Sequence, residues 1–256
     1  MTAGPEALMQ AAAEVARIAG DVALRWYRTG AAVETKADGS PVTIADREAE
    51  RVAREWIVQR FPADGILGEE LGAQNPEAPR RWIIDPIDGT KSFVRGVPLW
   101  GTLVAVVEGD EVLAGAAYFP PVGELAAAGR GCGSWANDVR AHVSLVETLA
   151  GATVLTTDDR FPDRPDRREA WERIARQAAV SRTWGDCYGY LLVATGRADV
   201  MVDDVVSAWD VAAMQPIVEE AGGVFTDWAG RATAFGGSAI ATNAALAGRV
   251  REAIDA

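Results

Sequence analysis

The segment 81–91, RWIIDPIDGTK, most constrains how this chain can fold, because a short apolar run stops there at two carboxylates. The apolar residues 82–84 predict a buried strand. Pro86 cannot donate a hydrogen bond to a neighbouring strand, so we expect the backbone to turn there, with Asp85 and Asp88 on either side. Two carboxylates held close together favour a cation between them. A lone Asp-x-x-Asp also fits a surface turn with solvated aspartates, so other segments must decide.

The two residues after the second carboxylate predict a phosphate site. Gly89 lets a ligand approach the backbone closely. Thr90 adds a hydroxyl beside the backbone N–H groups of a predicted helix start, and such N–H groups bind anions. The segment therefore predicts a metal and a phosphate side by side.

Further acids occupy positions that can join this site. Glu69 follows the apolar residues 66–68 as Asp85 follows its own run, so two strand ends are expected to converge. Asp210 stands at the start of a predicted helix, where its alternative role is to face the helix dipole. Glu70, beside Glu69, is expected to be solvated rather than a ligand.

Asp46 belongs to a predicted helix start. Thr43 followed three residues later by Asp46 resembles a helix-capping arrangement, and the helix is expected to end near Arg60. Two roles stay open for Asp46: it is an acid of the first turn facing the helix dipole, or it supports the metal ligands.

Composition decides which metal such a site would take. The chain has only two cysteines, Cys132 and Cys187, and one histidine, so its acids offer oxygen ligands alone. Oxygen-only sites favour Mg²⁺ or Mn²⁺ over zinc or copper. Two such ions about 3.5–4 Å apart can hold the attacking water and the leaving oxygen of a displacement at phosphorus. The acids therefore predict phosphate-ester hydrolysis.

Length and charge limit the partners. With 256 residues, 49% of them hydrophobic, the chain can build one large domain or two closely packed ones. The formal net charge of −12 works against binding to nucleic acid or to an anionic membrane. The sequence contains neither an apolar run of about 18 residues nor a secretory signal pattern, so we predict a cytoplasmic protein without a membrane span.

The chain is predicted to divide into an N-terminal α+β part, residues 1–148, and a C-terminal α/β part, residues 149–256, because β–α alternation begins near residue 149. The first part contains a helix over 6–28 and a hairpin of strands 101–107 and 112–119. The second part is predicted to contain helices over 167–179, 185–195, 209–221 (kinked at Pro216) and 243–254 (capped by Asn243), and strands over 153–156, 199–202, 224–227 and 239–242.

Three motifs resemble, in order and spacing, the signatures of the magnesium-dependent inositol monophosphatase superfamily: GEE at 68–70, DPIDGT at 85–90, and WDVAA at 209–213 followed by EAGG at 220–223. The resemblance covers nearly the whole chain, because segments 36–46 and 185–203 also fit. It implies an α/β fold, a layered α/β/α/β/α sandwich, with the site between the two parts. It also implies a homodimer, which is common in the family.

The resemblance implies a set of site residues. The metal ligands, for two or three Mg²⁺ ions with Mn²⁺ as a substitute, are Glu69, Asp85, the Ile87 carbonyl, Asp88 and Asp210. Thr90 and Glu69 orient and activate the attacking water, and Asp46 acts through Thr90 or through a water at the metal. The backbone N–H groups of Gly89 and Thr90 bind the phosphate.

Within the superfamily, segments 36–43, 88–98 and 184–190 resemble the histidinol-phosphate phosphatases, which implies hydrolysis of L-histidinol phosphate in histidine biosynthesis. That substrate carries an ammonium and an imidazole. Acids suit such a leaving group through charge-assisted hydrogen bonds, and aromatic rings suit it through stacking. The predicted substrate-binding residues are Trp184, Asp186, Tyr188 and Asp203. The alternative for the two aromatics is a place in the core.

Two other functions stay open. The first is an inositol-1-monophosphatase, or a broad-specificity phosphatase acting on sugar bisphosphates or adenosine bisphosphate. The second is a non-catalytic, metal-binding or regulatory relative, which the intact set of predicted ligands disfavours.

Overall fold

The computed structural model describes residues 3–37, 39–162 and 164–256. Asp38, in segment 36–46 discussed above, lies outside the described residues. The helices are α1 (Pro5–Trp26), α2 (Ile44–Arg60), α3 (Thr90–Val94), α4 (Pro165–Gln177), α5 (Asp186–Ala194), α6 (Ala208–Val211), α7 (Met214–Glu219) and α8 (Ala247–Asp255).

The strands form one large sheet, one smaller sheet and a two-stranded ribbon. They are β1 (Val33–Thr35), β2 (Pro41–Thr43), β3 (Gly65–Gly68), β4 (Gly72–Gln74), β5 (Arg80–Asp88), β6 (Gly101–Glu108), β7 (Glu111–Phe119), β8 (Glu124–Gly129), β9 (Gly133–Ala136), β10 (Val139–Arg140), β11 (Thr153–Thr156), β12 (Val180–Arg182), β13 (Val200–Asp203), β14 (Gly223–Thr226) and β15 (Ala239–Asn243).

The large sheet has the order β10-β9-β8-β7-β6-β5-β3-β4. Its neighbours pair antiparallel except β3 and β5, which run parallel. The smaller sheet has the order β12-β11-β13-β15-β14, with a parallel start and an antiparallel end. The two sheets come from opposite sides of residue 149. The division into two domains there stays a prediction.

Helices cover both sheets in alternating layers. The apolar stripes of α1 and α2 pack against one face of the large sheet. Helices α5, α6 and α7 lie between the two sheets, and α4 and α8 cover the outer face of the smaller one. The layers thus follow the predicted α/β/α/β/α order. Among the described residues, no helix combines the length and apolar character that crossing a membrane requires.

The junction between α6 and α7 lies directly against the large sheet. A Cβ added to Gly115, on β7, would overlap the backbone carbonyl of Ala213. Because glycine has no side chain, the helix pair can approach the strand at this point. The close approach brings the start of α6 next to the end of β5.

Several predicted elements are confirmed. The hairpin is formed by β6 and β7, and α1 matches the predicted first helix. Helix α2 begins after Thr43 with a capping box that includes Asp46, as the motif predicted. The short strands β1, β2, β4, β10 and β12 were not predicted, because two or three residues are too few to show a periodic apolar pattern.

The predicted turn at Pro86 is wrong. Strand β5 continues through Pro86 to Asp88, and a bulge lies between the pairs Asp85–Leu103 and Asp88–Gly101. A bulge leaves a residue outside the regular ladder, so the missing N–H of proline does little harm there. The Pro86 carbonyl accepts a hydrogen bond from Thr102 Oγ1 at 2.8 Å.

Two helix boundaries also differ from the prediction. The segment 209–221 is divided into α6 and α7, because Pro216 cannot bond to the carbonyl of Ala212 four residues earlier. The last helix begins at Ala247 rather than at Asn243. Asn243 ends β15, and its Oδ1 accepts the Leu246 N–H at 2.8 Å, which forms a turn before the helix.

Candidate metal centre and active site

The ends of β3 and β5 deliver two of the predicted ligands to one sheet edge. The two strands are parallel, and Gly68 pairs with Ile84. The next residues are Glu69 and Asp85, and Glu69 N donates to Ile84 O at 3.2 Å. The predicted convergence of the two strand ends is therefore confirmed.

Three carboxylates from two parts of the chain form the acidic cluster, defined here as Asp85, Asp88 and Asp210. One carboxylate oxygen of each lies within 4.8 Å of the others. Asp85 is 2% exposed and Asp88 is 9% exposed. The cluster joins the end of β5 to the start of α6.

Burial and mutual repulsion disfavour the charged forms of these acids. Burial, followed by the charges of Glu69 and Asp88, raises the pKa of Asp85 well above its usual value. Burial, followed by the charges of Asp186 and Asp210, does the same to the pKa of Asp88. For Asp210, burial is again the largest cause and raises the pKa to about 7.

The acidic cluster fits a hard divalent cation. Its donors are all carboxylate oxygens, which Mg²⁺ and Mn²⁺ accept. Within the described part of the chain, no ion pair involves any of its members. A cation would therefore supply the missing positive charge and favour the charged forms of these acids.

Asp46 and Asp210 each use one oxygen to start a helix. Asp210 Oδ2 accepts the Ser207 N–H at 2.6 Å. Asp46 Oδ2 accepts from the backbone N–H of Thr43 at 2.8 Å and from its hydroxyl at 2.7 Å. The other oxygen of Asp46 is buried and has no hydrogen-bond partner among the described residues. The capping role of Asp46 is thus confirmed, and one oxygen is left over.

Lys36 pairs with both glutamates that follow β3. Its Nζ lies 2.8 Å from Glu69 Oε1 and 2.5 Å from Glu70 Oε1. The expectation that Glu70 is solvated is wrong, because its side chain is only 7% exposed. Burial raises the pKa of Glu70 to about 7, against the lowering effect of the Lys36 ammonium. Glu69 lies beside Asp85 but outside the acidic cluster as defined.

The predicted phosphate segment forms a short helix start. Gly89 precedes α3 with a φ of 85°, and a Cβ there would lie 2.8 Å from Leu99 O, so only glycine fits without strain. The N–H groups of Ser92 and Phe93 bond to the Gly89 carbonyl. The N–H groups before them have no partner within the helix. Thr90 Oγ1 donates to Ile87 O at 2.9 Å.

A cleft of about 500 Å³ opens beside the acidic cluster. Its lining includes Asp88, Lys91, Asp186, Asp203 and Asp210. A second cleft of about 380 Å³ shares Lys91 and Asp186 with the first. The predicted acids of the substrate site therefore lie next to the predicted metal ligands.

Asp186 lies against the phosphate segment. A Cβ on Gly89 would be 3.3 Å from Asp186 Oδ2. Burial, then the charge of Asp203, raises the pKa of Asp186 to about 6, and Lys91 opposes this. The Asp186 N–H donates to Thr157 Oγ1 at 2.8 Å.

Asp203 is engaged inside the protein. Its Oδ1 accepts the Thr157 N–H at 3.0 Å and its Oδ2 accepts the Tyr190 hydroxyl at 2.8 Å. The residue is 6% exposed. Both carboxylate oxygens therefore already have a protein donor.

The two aromatic residues predicted to bind substrate, Trp184 and Tyr188, lie in different surroundings. Tyr188 packs edge-on against Phe119, with ring centroids 5.5 Å apart, and its hydroxyl contacts Glu124. Tyr188 is partly buried and packs against the core, and its predicted role in substrate binding stays a prediction. Trp184 is 43% exposed and lies between Thr183 and Gly185, which both line the second cleft.

Sequence reasoning missed two residues that hold the site in place. The Cys187 N–H, in the first turn of α5, donates to Asp88 Oδ2 at 2.5 Å and so links a predicted ligand to the C-terminal part. Glu50 is fully buried on α2 and bonds the turn after β3. The only sequence signal for Glu50 is its position one helical turn after Asp46.

Comparison with known proteins gives consistent results. A sequence profile described as the inositol monophosphatase family matches residues 5–255. A histidinol-phosphatase from Chlorobaculum parvum (strain DSM 263 / NCIMB 8327) is 44% identical over 91% of this chain and 90% of its own. A histidinol-phosphatase from Mycobacterium tuberculosis (strain ATCC 25618 / H37Rv) is 40% identical over 84% of each chain.

The fold is similar to that of solved structures. The extragenic suppressor protein suhB from Bartonella henselae superposes with a TM-score of 0.90. The match covers 97% of this chain and 98% of that one, at 30% identity. Sequence and fold therefore point to the same group of proteins.

Proposed function

The chain belongs to the inositol monophosphatase family and is a phosphomonoesterase, and from this premise we propose that it hydrolyses L-histidinol phosphate to L-histidinol and phosphate. The observation that supports this substrate is the position of the Asp186 carboxylate. It lines the cleft and lies against Gly89 at the predicted phosphate site. A carboxylate there suits a leaving group with an ammonium. The similar proteins named above are histidinol-phosphatases, which supports the same choice.

We propose Mg²⁺ as the metal, two or three ions, with Mn²⁺ as a substitute. Asp85, Asp88 and Asp210 would hold it, together with Glu69 and the Ile87 carbonyl. When bound, Mg²⁺ supplies positive charge that neutralises phosphate oxygens and makes a water more acidic.

The chain's own residues then bind and orient the reactants. The N–H groups of Gly89 and Thr90 donate to phosphate oxygens at the start of α3. The Thr90 hydroxyl and the Glu69 carboxylate orient the attacking water. The unpartnered oxygen of Asp46 is free to accept a proton or a hydrogen bond from that water or from Thr90.

The leaving group would be bound in the same cleft, beside the phosphate segment. Asp186 would receive the ammonium of the substrate. Asp203 would act through Thr157, whose N–H donates to the Asp203 carboxylate and whose hydroxyl accepts the backbone N–H of Asp186. Trp184 would stack on the imidazole at the edge of the second cleft.

We also propose the setting of this activity. The protein would serve histidine biosynthesis in the cytoplasm, a proposal that rests on the substrate alone. It would form a homodimer, as its family commonly does, and would consist of the parts 1–148 and 149–256 with the site between them. The origin of the two sheets on either side of residue 149 supports that division.

The test is phosphate release at saturating Mg²⁺ from L-histidinol phosphate, inositol 1-phosphate and fructose 1,6-bisphosphate. We expect kcat/KM for L-histidinol phosphate to exceed the others by at least about tenfold, a difference of about 1.4 kcal/mol. A tenfold preference for inositol 1-phosphate would favour the inositol-1-monophosphatase alternative. No release from any ester would favour the non-catalytic alternative.

A further inference from the structure

We propose that Glu50 is a positioning residue that holds the turn after β3 in the geometry in which Glu69 can bind metal. The proposal rests on the metal-dependent function proposed above and extends it to a residue outside the cleft.

The Glu50 carboxylate is fully buried, and the hydrogen bonds that it accepts from the described residues come from the turn and from its own helix. Oε2 accepts the Glu70 N–H at 2.7 Å, and Oε1 accepts the Leu71 N–H at 3.2 Å. Arg54 Nε donates to Oε1 at 2.7 Å. The Arg54 guanidinium also donates to the Gly72 carbonyl. One carboxylate and its partner thus hold three successive residues of the turn.

Glu69 is fixed from both sides by this arrangement. Its own N–H donates to Ile84 O on β5, and the following N–H, that of Glu70, donates to Glu50. With two successive peptide groups anchored, the Cα–Cβ direction of Glu69 is set. The side chain is thereby directed toward Asp85 and Lys36.

Gly68 provides independent evidence for a close fit at this position. A Cβ added to Gly68 would overlap the Glu50 carboxylate and approach Arg54. Gly68 has no positive φ that would demand glycine. The glycine of the GEE motif is therefore explained by the space that Glu50 occupies directly behind the strand end.

Helix α2 also contains a second pair of opposite charges, Arg51 and Glu55, which has no contact with the turn after β3 among those described. Asp46, Glu50 and Arg54 are spaced four residues apart and so follow one face of the helix. Arg51 and Glu55 have the same spacing as Glu50 and Arg54, but both are more than half exposed and bond to each other. Burying a carboxylate costs free energy that an exposed pair avoids, and for Glu50 the bonds to Arg54 and to the turn after β3 offset that cost.

The test compares the wild type with Glu50→Gln and with the control Glu55→Gln. Calorimetric titration of the metal-free proteins with Mn²⁺, and the Mg²⁺ concentration for half-maximal activity, are measured for each. For Glu50→Gln we expect the metal Kd to rise by about 10- to 100-fold, with kcat at saturating Mg²⁺ within about threefold of the wild type. The control should stay within about twofold on both measures.

Glu50→Asp covers the case in which Glu50→Gln does not fold. It keeps the charge beside Arg54 but withdraws the oxygens from Glu70 by one methylene, and we expect a weaker metal Kd again. A variant that lowers the unfolding temperature but binds Mn²⁺ as the wild type does would overturn the positioning role. If the wild type itself bound no Mn²⁺, the proposed metal centre would fail first, so the two failures are distinguishable.

Discussion

Two buried acids in different layers of the molecule differ in the charges that surround them. Asp85, in the acidic cluster, is 2% exposed, and Asp227, after β14, is 1% exposed. Asp227 accepts from the Arg231 guanidinium at 2.7 Å and from its N–H at 2.9 Å. Burial raises the pKa of Asp227, but the Arg231 hydrogen bonds outweigh it and hold the pKa below its usual value. In contrast, burial and the neighbouring acids raise the pKa of Asp85.

The difference lies in the counter-charge rather than in burial. Arg231 makes Asp227 a stabilising group of the folded protein. The acidic cluster gathers like charges, which costs stability in the metal-free protein and creates affinity for a cation. A buried acid is therefore a candidate ligand when its neighbours are other acids.

The largest expected effect comes from removing one charge of the acidic cluster. Asp88→Asn should lower kcat by at least about 1,000-fold, or about 4 kcal/mol, because a metal ligand is lost at little change in volume. The metal-free variant should unfold at the same temperature as the wild type or higher, because repulsion is relieved. Steady-state kinetics and thermal unfolding in chelator check both. A kcat above about a tenth of the wild type, less than about 1.4 kcal/mol in the barrier, would exclude Asp88 as a ligand.

Asp186→Asn tests an acid of the cleft whose charge acts on Asp88. We expect the loss in kcat/KM, expressed as a free energy, to be about 1.5–3 kcal/mol larger for L-histidinol phosphate than for glycerol 2-phosphate. Only the first substrate loses a charge-assisted contact. Asp203→Asn is the comparison variant. Because both Asp203 oxygens serve Thr157 and Tyr190, we expect it to affect the two esters more equally. Equal losses on both esters for Asp186→Asn would remove it from the specificity site.

Asp227→Asn should produce the reverse of the Asp88 result. Loss of the charged bond to Arg231, whose side chain is 69% exposed, should lower the free energy of unfolding by about 1 kcal/mol. Turnover at saturating Mg²⁺ should remain within about twofold of the wild type. Urea unfolding and steady-state kinetics provide the measurements. A loss of turnover with unchanged stability would mean that paired buried acids can also be functional here.

The last expected effect concerns stability alone: a pH dependence of the metal-free protein. The pKa of Asp210 is raised to about 7, so between pH 4 and pH 7 the folded protein binds a proton that the unfolded chain has released. Stability should therefore fall as pH rises through this window, by up to about 1.4 kcal/mol per pH unit for one such group. Urea unfolding at several pH values in chelator should show a flatter dependence for Asp210→Asn. Parallel curves for the two proteins would contradict the assignment.

The sequence determined the local parts of the site. Asp85 and Glu69 end apolar runs, so their place at strand ends followed from the pattern, and Thr43 with Asp46 marked the start of α2 correctly. These features depend on neighbours within a few residues, and such interactions can be derived from the order of residues. The same local reasoning failed at Pro86, where pairing with β6 keeps the strand intact through a bulge.

Only the tertiary structure decided which side chains have free oxygens facing the cleft. Asp186 and Asp203 looked equivalent in sequence, but Thr157 and Tyr190 occupy both oxygens of Asp203. Tyr188, two residues after Asp186 in α5, packs instead against Phe119 on the large sheet. Which distant donors reach the Asp203 carboxylate depends on how the layers pack. Sequence spacing therefore predicted the acids of this site, and packing between the two sheets determined their roles.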